Sequence, residues 1–167
     1  EAHWIFDMPA EDIEVLIHPQ SVLHSMVEFA DGSTIGQMGR ADMKIPVSFA
    51  LSFPRRVDLG LQHVDFAELG KLEFFRPEQE MFPCLGLAYR ALKQGGGAPA
   101  VMNAANEMAV EAFLGGKLAF TAIPKVIDAV MNTEMEFKHE TLAGILRGDQ
   151  MAREAAMALI GELGATS

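Results

Sequence analysis

Two histidines, two serines and a glutamine gather around Pro19 in the stretch Ile17-His18-Pro19-Gln20-Ser21-Val22-Leu23-His24-Ser25-Met26-Val27-Glu28-Phe29. Imidazole changes charge near neutral pH, and hydroxyl and amide groups hold oxygens, so such a cluster beside an apolar strand suits substrate binding or proton transfer. On a strand alternating from Ser21 to Phe29, His24 projects to the side of Met26 and Glu28, within reach of Ser21 or of a ligand. A histidine satisfied by backbone is the competing account of His24, and a turn residue beside Pro19 that of His18. Ser21 can brace the turn or bond a substrate oxygen. No carboxylate stands at a readable spacing to complete a Ser/His/Asp set, so a nucleophilic hydrolase gains little support.

Other candidates carry less. His3, His63 and His139 are scattered, with no HExxH or Asp-x-Glu pair beside them, and His63 and His139 read as surface residues. Gly95-Gly96-Gly97 follows a helical pattern rather than a strand and has neither a Gly-Lys-Ser/Thr ending nor GxGxxG spacing. A helix C-terminus explains it better than a phosphate loop. Asn103 and Glu107 lie one helical turn apart, which suits structure better than ligand binding because nothing else titratable converges there. Most of the eleven methionines fall in helical or core patterns; Met43 sits in a loop and can lie over a flat ring.

The elements that must position these residues follow from punctuation and period. A helical start, Glu1 to Phe6, ends near Pro9, and Glu14 to Ile17 reads as a short strand. Asp31-Gly32 suits a type I′ turn joining Ser21–Phe29 to a second strand, Thr34–Met38. That register sets Phe29 opposite Thr34, Val27 opposite Gly36 and Ser25 opposite Met38, with Leu23, Val27 and Phe29 on one face and His24, Met26, Glu28, Ile35 and Gln37 on the other. Asp42 is a candidate cap for a helix over about 44–52. Residues 53–79 are broken by Pro54, Gly60, Gly70 and Pro77 and read as a linker. Helices are then expected from Pro83 to the three glycines, from Pro99 to Gly115, from a Thr121 cap to Met131, over about 140–146, and from an Asp149 cap onward. The expected organisation is α+β: residues 1–52 end one domain, 53–79 link, and 80–167 form a four-helix bundle.

Composition narrows the partners. Half of the 167 residues are apolar, which supports a packed core, and the net charge of −10 opposes binding to a polyanion. Nucleic acid is therefore not expected, while one phosphate can still be held by a few local donors. Cys84 is the single cysteine, which excludes an internal disulfide and fits a reducing compartment. No apolar run has the length of a membrane span, and the opening residues have neither a signal-peptide pattern nor an initiator methionine, so a piece of a longer protein is expected.

Leu16 to Val27, Asp31-Gly32-Ser33, Gln37-Met38-Gly39 and Asp42-Met43-Lys44-Ile45-Pro46 resemble 1-deoxy-D-xylulose 5-phosphate reductoisomerase. The resemblance continues through Phe82-Pro83-Cys84-Leu85, Ala100 to Glu107, Ala112-Phe113-Leu114 and Phe120 to Pro124, with order and spacing kept over nearly the whole chain. It implies an NADPH-dependent enzyme, using Mn2+ or Mg2+, that rearranges and reduces the phosphorylated sugar to 2-C-methyl-D-erythritol 4-phosphate for isoprenoid synthesis. It further implies a bacterial, cytoplasmic homodimer, of which this chain is the C-terminal part. By that resemblance His24 acts near the substrate, Ser21 binds its end, Met43 packs near the nicotinamide and Trp4 is structural. The cofactor motif and metal ligands are implied to lie upstream of Glu1, so that no metal is held here and the piece alone is inactive. Ala41 stands where relatives often have proline, which leaves the Met43 loop less rigid. A non-catalytic helical interaction module with a dimerising hairpin is the alternative.

Overall fold

The computed structural model describes residues 2–164 and is a mixed α+β chain. Two compact units divide it: one takes the residues up to Glu14 and those from Glu78 onward, the other Val15–Pro77.

The first unit is helical. A short α1 (Ala2–Phe6) and a 3-10 turn (Ala10–Asp12) precede it, and α4 (Pro83–Gln94), α5 (Ala98–Leu114), α6 (Ile123–Met131) and α7 (Leu142–Gly164) build its core. Helix α5 is central, with α4, α6 and α7 packed on it. Its buried face carries Ala105, Ala109 and Ala112 at helical spacing, small enough for neighbouring helices to approach closely. Ala152 and Ala156 of α7 meet that stripe, while Val126, Ile127 and Val130 of α6 fill the remaining volume. The Tyr89 hydroxyl donates to the Ile13 carbonyl at 2.6 Å and ties the N-terminal segment to α4.

Proline and glycine set the helix ends here. Pro83, Pro99 and Pro124 each stand in a first turn, where a missing N–H costs nothing. Gly95 (φ +65°) closes α4 and Gly96 (φ +53°) continues the reversal, so the triple glycine ends one helix and admits the next. Gly97 serves differently: a Cβ there would strike the Phe137 ring, as would one on Gly148.

Two expected helix caps are corrected. Asp149 caps nothing, because α7 runs unbroken from Leu142, with the Thr141 hydroxyl accepting the Gly144 N–H at 3.1 Å. Gly148 is a weak helix former kept inside α7 because Phe137 lies against its backbone. Thr121 likewise caps nothing; it sits in a 3-10 turn, Phe120–Ala122, that leads into α6 without a side-chain cap.

Asn103 and Glu107 are absorbed by helix packing. Arg153 of α7 donates to Glu107 Oε2 at 2.5 Å and to Asp149 Oδ2 at 2.7 Å, and Asn103 donates to Glu107 Oε1 at 3.1 Å. The Arg153 and Asn103 bonds hold the Glu107 carboxyl below its ordinary range, and the carboxylates hold Arg153 firmly protonated. On the other side of the unit, Arg90 of α4 pairs with Asp128 of α6 at 2.7 Å.

The second unit is held differently. Strands β1 (Leu23–Glu28) and β2 (Thr34–Met38) form an antiparallel hairpin, followed by α2 (Lys44–Ser52) and a single turn of helix, α3 (Phe66–Leu69). The expected strand over Glu14–Ile17 is absent; Ile17 makes one antiparallel bridge, to Phe75. Asp42 behaves as expected, its carboxylate accepting the Lys44 N–H at 2.8 Å. Residues 53–79 hold little regular structure, yet those up to Pro77 belong to this compact unit and bond back to 17–20.

The hairpin register is corrected by one residue. Glu28 faces Thr34, Val27 faces Ile35 and Ser25 faces Gln37. Gly32 (φ +81°) alone in the loop takes positive φ, and its N–H bonds the Phe29 carbonyl at 2.9 Å. This is a three-residue loop, a type I turn followed by a left-handed glycine, not the two-residue I′ turn. Asp31 stabilises it by accepting from the Ser33 hydroxyl (2.6 Å) and N–H (2.9 Å), bonds that lower the Asp31 pKa. Ile35 and Gln37 therefore share a face with Val27 and Ser25, not with Met26 and Glu28.

The Phe137 contact gives an expected outcome. Gly148→Ala destabilises the chain by about 1–3 kcal/mol in urea denaturation, the range for overpacking. In a Phe137→Ala background the same change turns stabilising by up to about 1 kcal/mol, as alanine outranks glycine in a free helix. A second outcome concerns acid. The depressed Glu107 pKa contributes stability that is complete above the unfolded value of about 4.3 and is lost as pH falls through the lower folded value. Urea midpoints between pH 5 and 3 therefore fall more steeply for the unaltered chain than for Glu107→Gln.

Candidate functional site

A bulge in β1 sets the site. Pairing shifts by one residue between Leu23 and Ser25, which leaves His24 as the extra residue opposite the Met38–Gln37 step. A bulge bends its strand and re-aims the side chain it carries. The imidazole accordingly reaches Gln37 Oε1 with Nδ1 (3.2 Å) and the Ser21 carbonyl with Nε2 (3.1 Å). Of the expected neighbours, Ser21 and Gln37 bond to the ring, and Met26 and Glu28 do not.

The bonding fixes the tautomer. A backbone carbonyl only accepts, so Nε2 carries the proton. Gln37 Nε2 donates to the Met38 carbonyl at 3.3 Å, which turns its Oε1 toward His24 Nδ1. With Nε2 engaged on a carbonyl, His24 does not draw a proton from the Ser21 hydroxyl. Ser21 and His24 thus offer binding groups, not an activated nucleophile.

Ser21 owes its place to the turn before it. Its N–H bonds the His18 carbonyl at 3.0 Å, and its φ of +50° lies where side-chain-bearing residues seldom settle. Its hydroxyl is exposed and has no hydrogen-bond partner within the described residues. His18 itself is a brace. Nδ1 donates to the Glu73 carbonyl at 2.9 Å, the ring stacks on Phe74 with centroids 4.9 Å apart, and Nε2 is buried without a partner.

Met43 is not drawn into this cluster. It stands just ahead of α2, 74% exposed, and no hydrogen bond connects its side chain to Ser21, His24 or Gln37. Trp4 is 69% exposed on α1, with His3 edge-on to its ring. A cleft of about 450 Å3 in the Val15–Pro77 unit is lined by Gln37, Arg40, Phe49, Arg56, Gln62 and His63 among others. There the Arg56 guanidinium sits 4.1 Å over Phe49, and Arg40 donates to Gln62 at 3.2 Å. Gln37 is common to the cleft and the His24 cluster.

Sequence reasoning missed Glu73; it set Gln37 on the face of His24 and Gln20 in the same polar stretch, without identifying the bonds either makes. The Gln37 contact depends on the bulge, and Glu73 meets Gln20 across 53 residues with no periodicity to announce it. Among the described residues no three His, Cys, Asp or Glu side chains converge as a metal site. The triple glycine is committed to helix ends and to Phe137, so it does not cradle a dinucleotide.

Comparison with known proteins agrees with the sequence resemblance. Residues 38–155 match the family model of the DXP reductoisomerase C-terminal domain. A 1-deoxy-D-xylulose 5-phosphate reductoisomerase of Cupriavidus metallidurans is 52% identical over 98% of this chain and 42% of its own length. One from Paraburkholderia xenovorans is 51% identical over 98% of this chain and 41% of its own. The solved reductoisomerase of Zymomonas mobilis in complex with NADPH superposes with a TM-score of 0.86, at 42% identity, over 95% of this chain and 42% of that one. A solved DOX-P reductoisomerase in complex with NADPH, fosmidomycin and magnesium gives 0.89, at 40% identity, over 96% of this chain and 41% of that one. The chain thus spans about two-fifths of the length of these relatives.

Proposed function

The chain belongs to the DXP reductoisomerase family, and on that premise we propose that it is the C-terminal part of an enzyme converting 1-deoxy-D-xylulose 5-phosphate to 2-C-methyl-D-erythritol 4-phosphate. The observation that carries this reading is the His24 cluster. An imidazole held at a strand bulge between the Ser21 carbonyl and Gln37, next to an unused hydroxyl, is a wall that orients an oxygen-rich substrate. Ser21 and His24 face the sugar phosphate, and Met43, exposed on its loop, lies near the nicotinamide of NADPH.

NADPH supplies hydride and a divalent metal polarises the oxygens of the substrate. In this reading both are held mainly by the remainder of the full-length enzyme, of whose relatives this chain spans about two-fifths. The residues present bind and orient. The reading extends to a homodimeric, cytoplasmic enzyme. A hairpin whose outer edges carry no further strand among the described residues supports pairing with additional chain. Val22 is the single buried hydrophobic side chain of the Val15–Pro77 unit, which supports its completion by the rest of a larger domain.

NADPH oxidation with substrate and Mn2+ tests the proposal. The full-length enzyme turns over, and this chain alone does not; turnover by the chain alone overturns the division of labour. In the full-length enzyme His24→Gln lowers kcat/KM for the sugar phosphate by about 10- to 100-fold, the scale of one hydrogen bond to a charged group. Unaltered kinetics return His24 to a purely structural role.

A further inference from the structure

We propose that Glu73 is a positioning residue for the substrate wall, setting the pose of Ser21 and His24 through Gln20 and the turn His18–Ser21; this rests on the reading that those two residues face substrate in the intact enzyme. Glu73 lies in a segment without regular structure, where a lone exposed carboxylate would ordinarily be solvated surface. It instead receives a set of directed bonds. Gln20 Nε2 donates to its Oε2 at 2.8 Å, and its own N–H donates to Gln20 Oε1 at 3.2 Å, so the two residues close a ring of two hydrogen bonds. Its carbonyl takes the His18 Nδ1–H at 2.9 Å. The Ile17–Phe75 bridge, one residue before His18 and two after Glu73, adds backbone bonds of 2.8 and 3.0 Å.

These bonds fix His18 and Gln20, the residues flanking Pro19 and immediately preceding Ser21. A serine at φ +50° costs on the order of 1 kcal/mol and persists only where its surroundings over-determine it. The Glu73 clamp on one side and the Ser21 N–H to His18 carbonyl bond on the other supply that constraint. The Ser21 carbonyl is in turn the acceptor that fixes the His24 tautomer. The order of dependence is Glu73, Gln20, the turn, the Ser21 carbonyl, the His24 ring. Lys71, which also reaches Glu73 at 2.9 Å, is exposed and contributes little.

The test uses the full-length enzyme with 15N-labelled histidine and the variants Gln20→Ala, Glu73→Ala and Glu73→Gln. Gln20→Ala raises KM for 1-deoxy-D-xylulose 5-phosphate about 3- to 10-fold, the effect of one or two lost neutral hydrogen bonds. KM for NADPH stays unchanged, and the His24 ring nitrogen signals, identified by their loss in His24→Gln, move. Glu73→Ala shows a smaller shift of the same kind. Glu73→Gln lies close to the unaltered enzyme, because an amide oxygen still accepts from Gln20. Loss of thermal stability in Gln20→Ala with KM and the His24 signals unmoved overturns the proposal, as does a Glu73→Gln enzyme no better than Glu73→Ala. If Ser21→Ala and His24→Gln leave KM unchanged, the substrate-wall reading fails by itself. The His24 signals of Gln20→Ala still decide the coupling, moved in its favour and unmoved against it.

Discussion

The pairing of Gln20 with Glu73, and of His18 with the Glu73 carbonyl, fixes the turn on which the rest of the Val15–Pro77 unit depends. Val22 is its single buried hydrophobic side chain, while Val27, Phe29 and Ile35 of the hairpin stay exposed. A two-stranded hairpin is marginal by itself. Directed polar contacts therefore carry the local geometry: Gln20 with Glu73, His18 with the Glu73 carbonyl, Asp31 with Ser33, Asp42 with the Lys44 N–H. Each fixes a turn or a segment end, and a site built on turns needs that kind of fixing more than it needs core volume.

The helical unit shows the opposite economy. Its core is alanine against valine and isoleucine, with no buried charged or polar side chain among the described residues. Charges stand at its margins, where Arg153 spans α5 and α7 and Arg90 spans α4 and α6. Close helix approach follows from small residues, and Gly97 and Gly148 extend the same logic by letting the Phe137 ring rest on backbone. Residues that look like chemistry in isolation, the triple glycine and the Asn103–Glu107 pair, are used up by this packing.

The histidines separate by their partners. His18 spends Nδ1 on a carbonyl and stacks on Phe74, which makes it part of the scaffold. His24 is exposed at a bulge, fixed on both ring nitrogens and adjacent to an unused hydroxyl, which makes it a presented group. Two residues of one type, six positions apart, thus receive different roles from the bonds available to them. Neither is placed to activate a nucleophile.

Much of this was legible in the chain. Proline and glycine placed the starts and ends of α4 and α5, because a missing N–H and a positive φ are properties of single residues. The α+β class and the hairpin followed from period and turn composition, and the nearness of His24 to Ser21 from strand spacing. What the chain did not disclose depends on contacts between distant residues. The hairpin register turned on which loop geometry Asp31-Gly32 adopts, a choice settled by the Asp31–Ser33 bonds and the strand pairing together. Helix α7 runs through Gly148 because Phe137, eleven positions earlier, packs there. The bulge at His24 and the clamp on Glu73 exist only once β2 and the 73–75 segment lie alongside the turn. Local physics names the residues that can do something; the partner that orients each of them is a long-range fact, and only the folded chain supplies it.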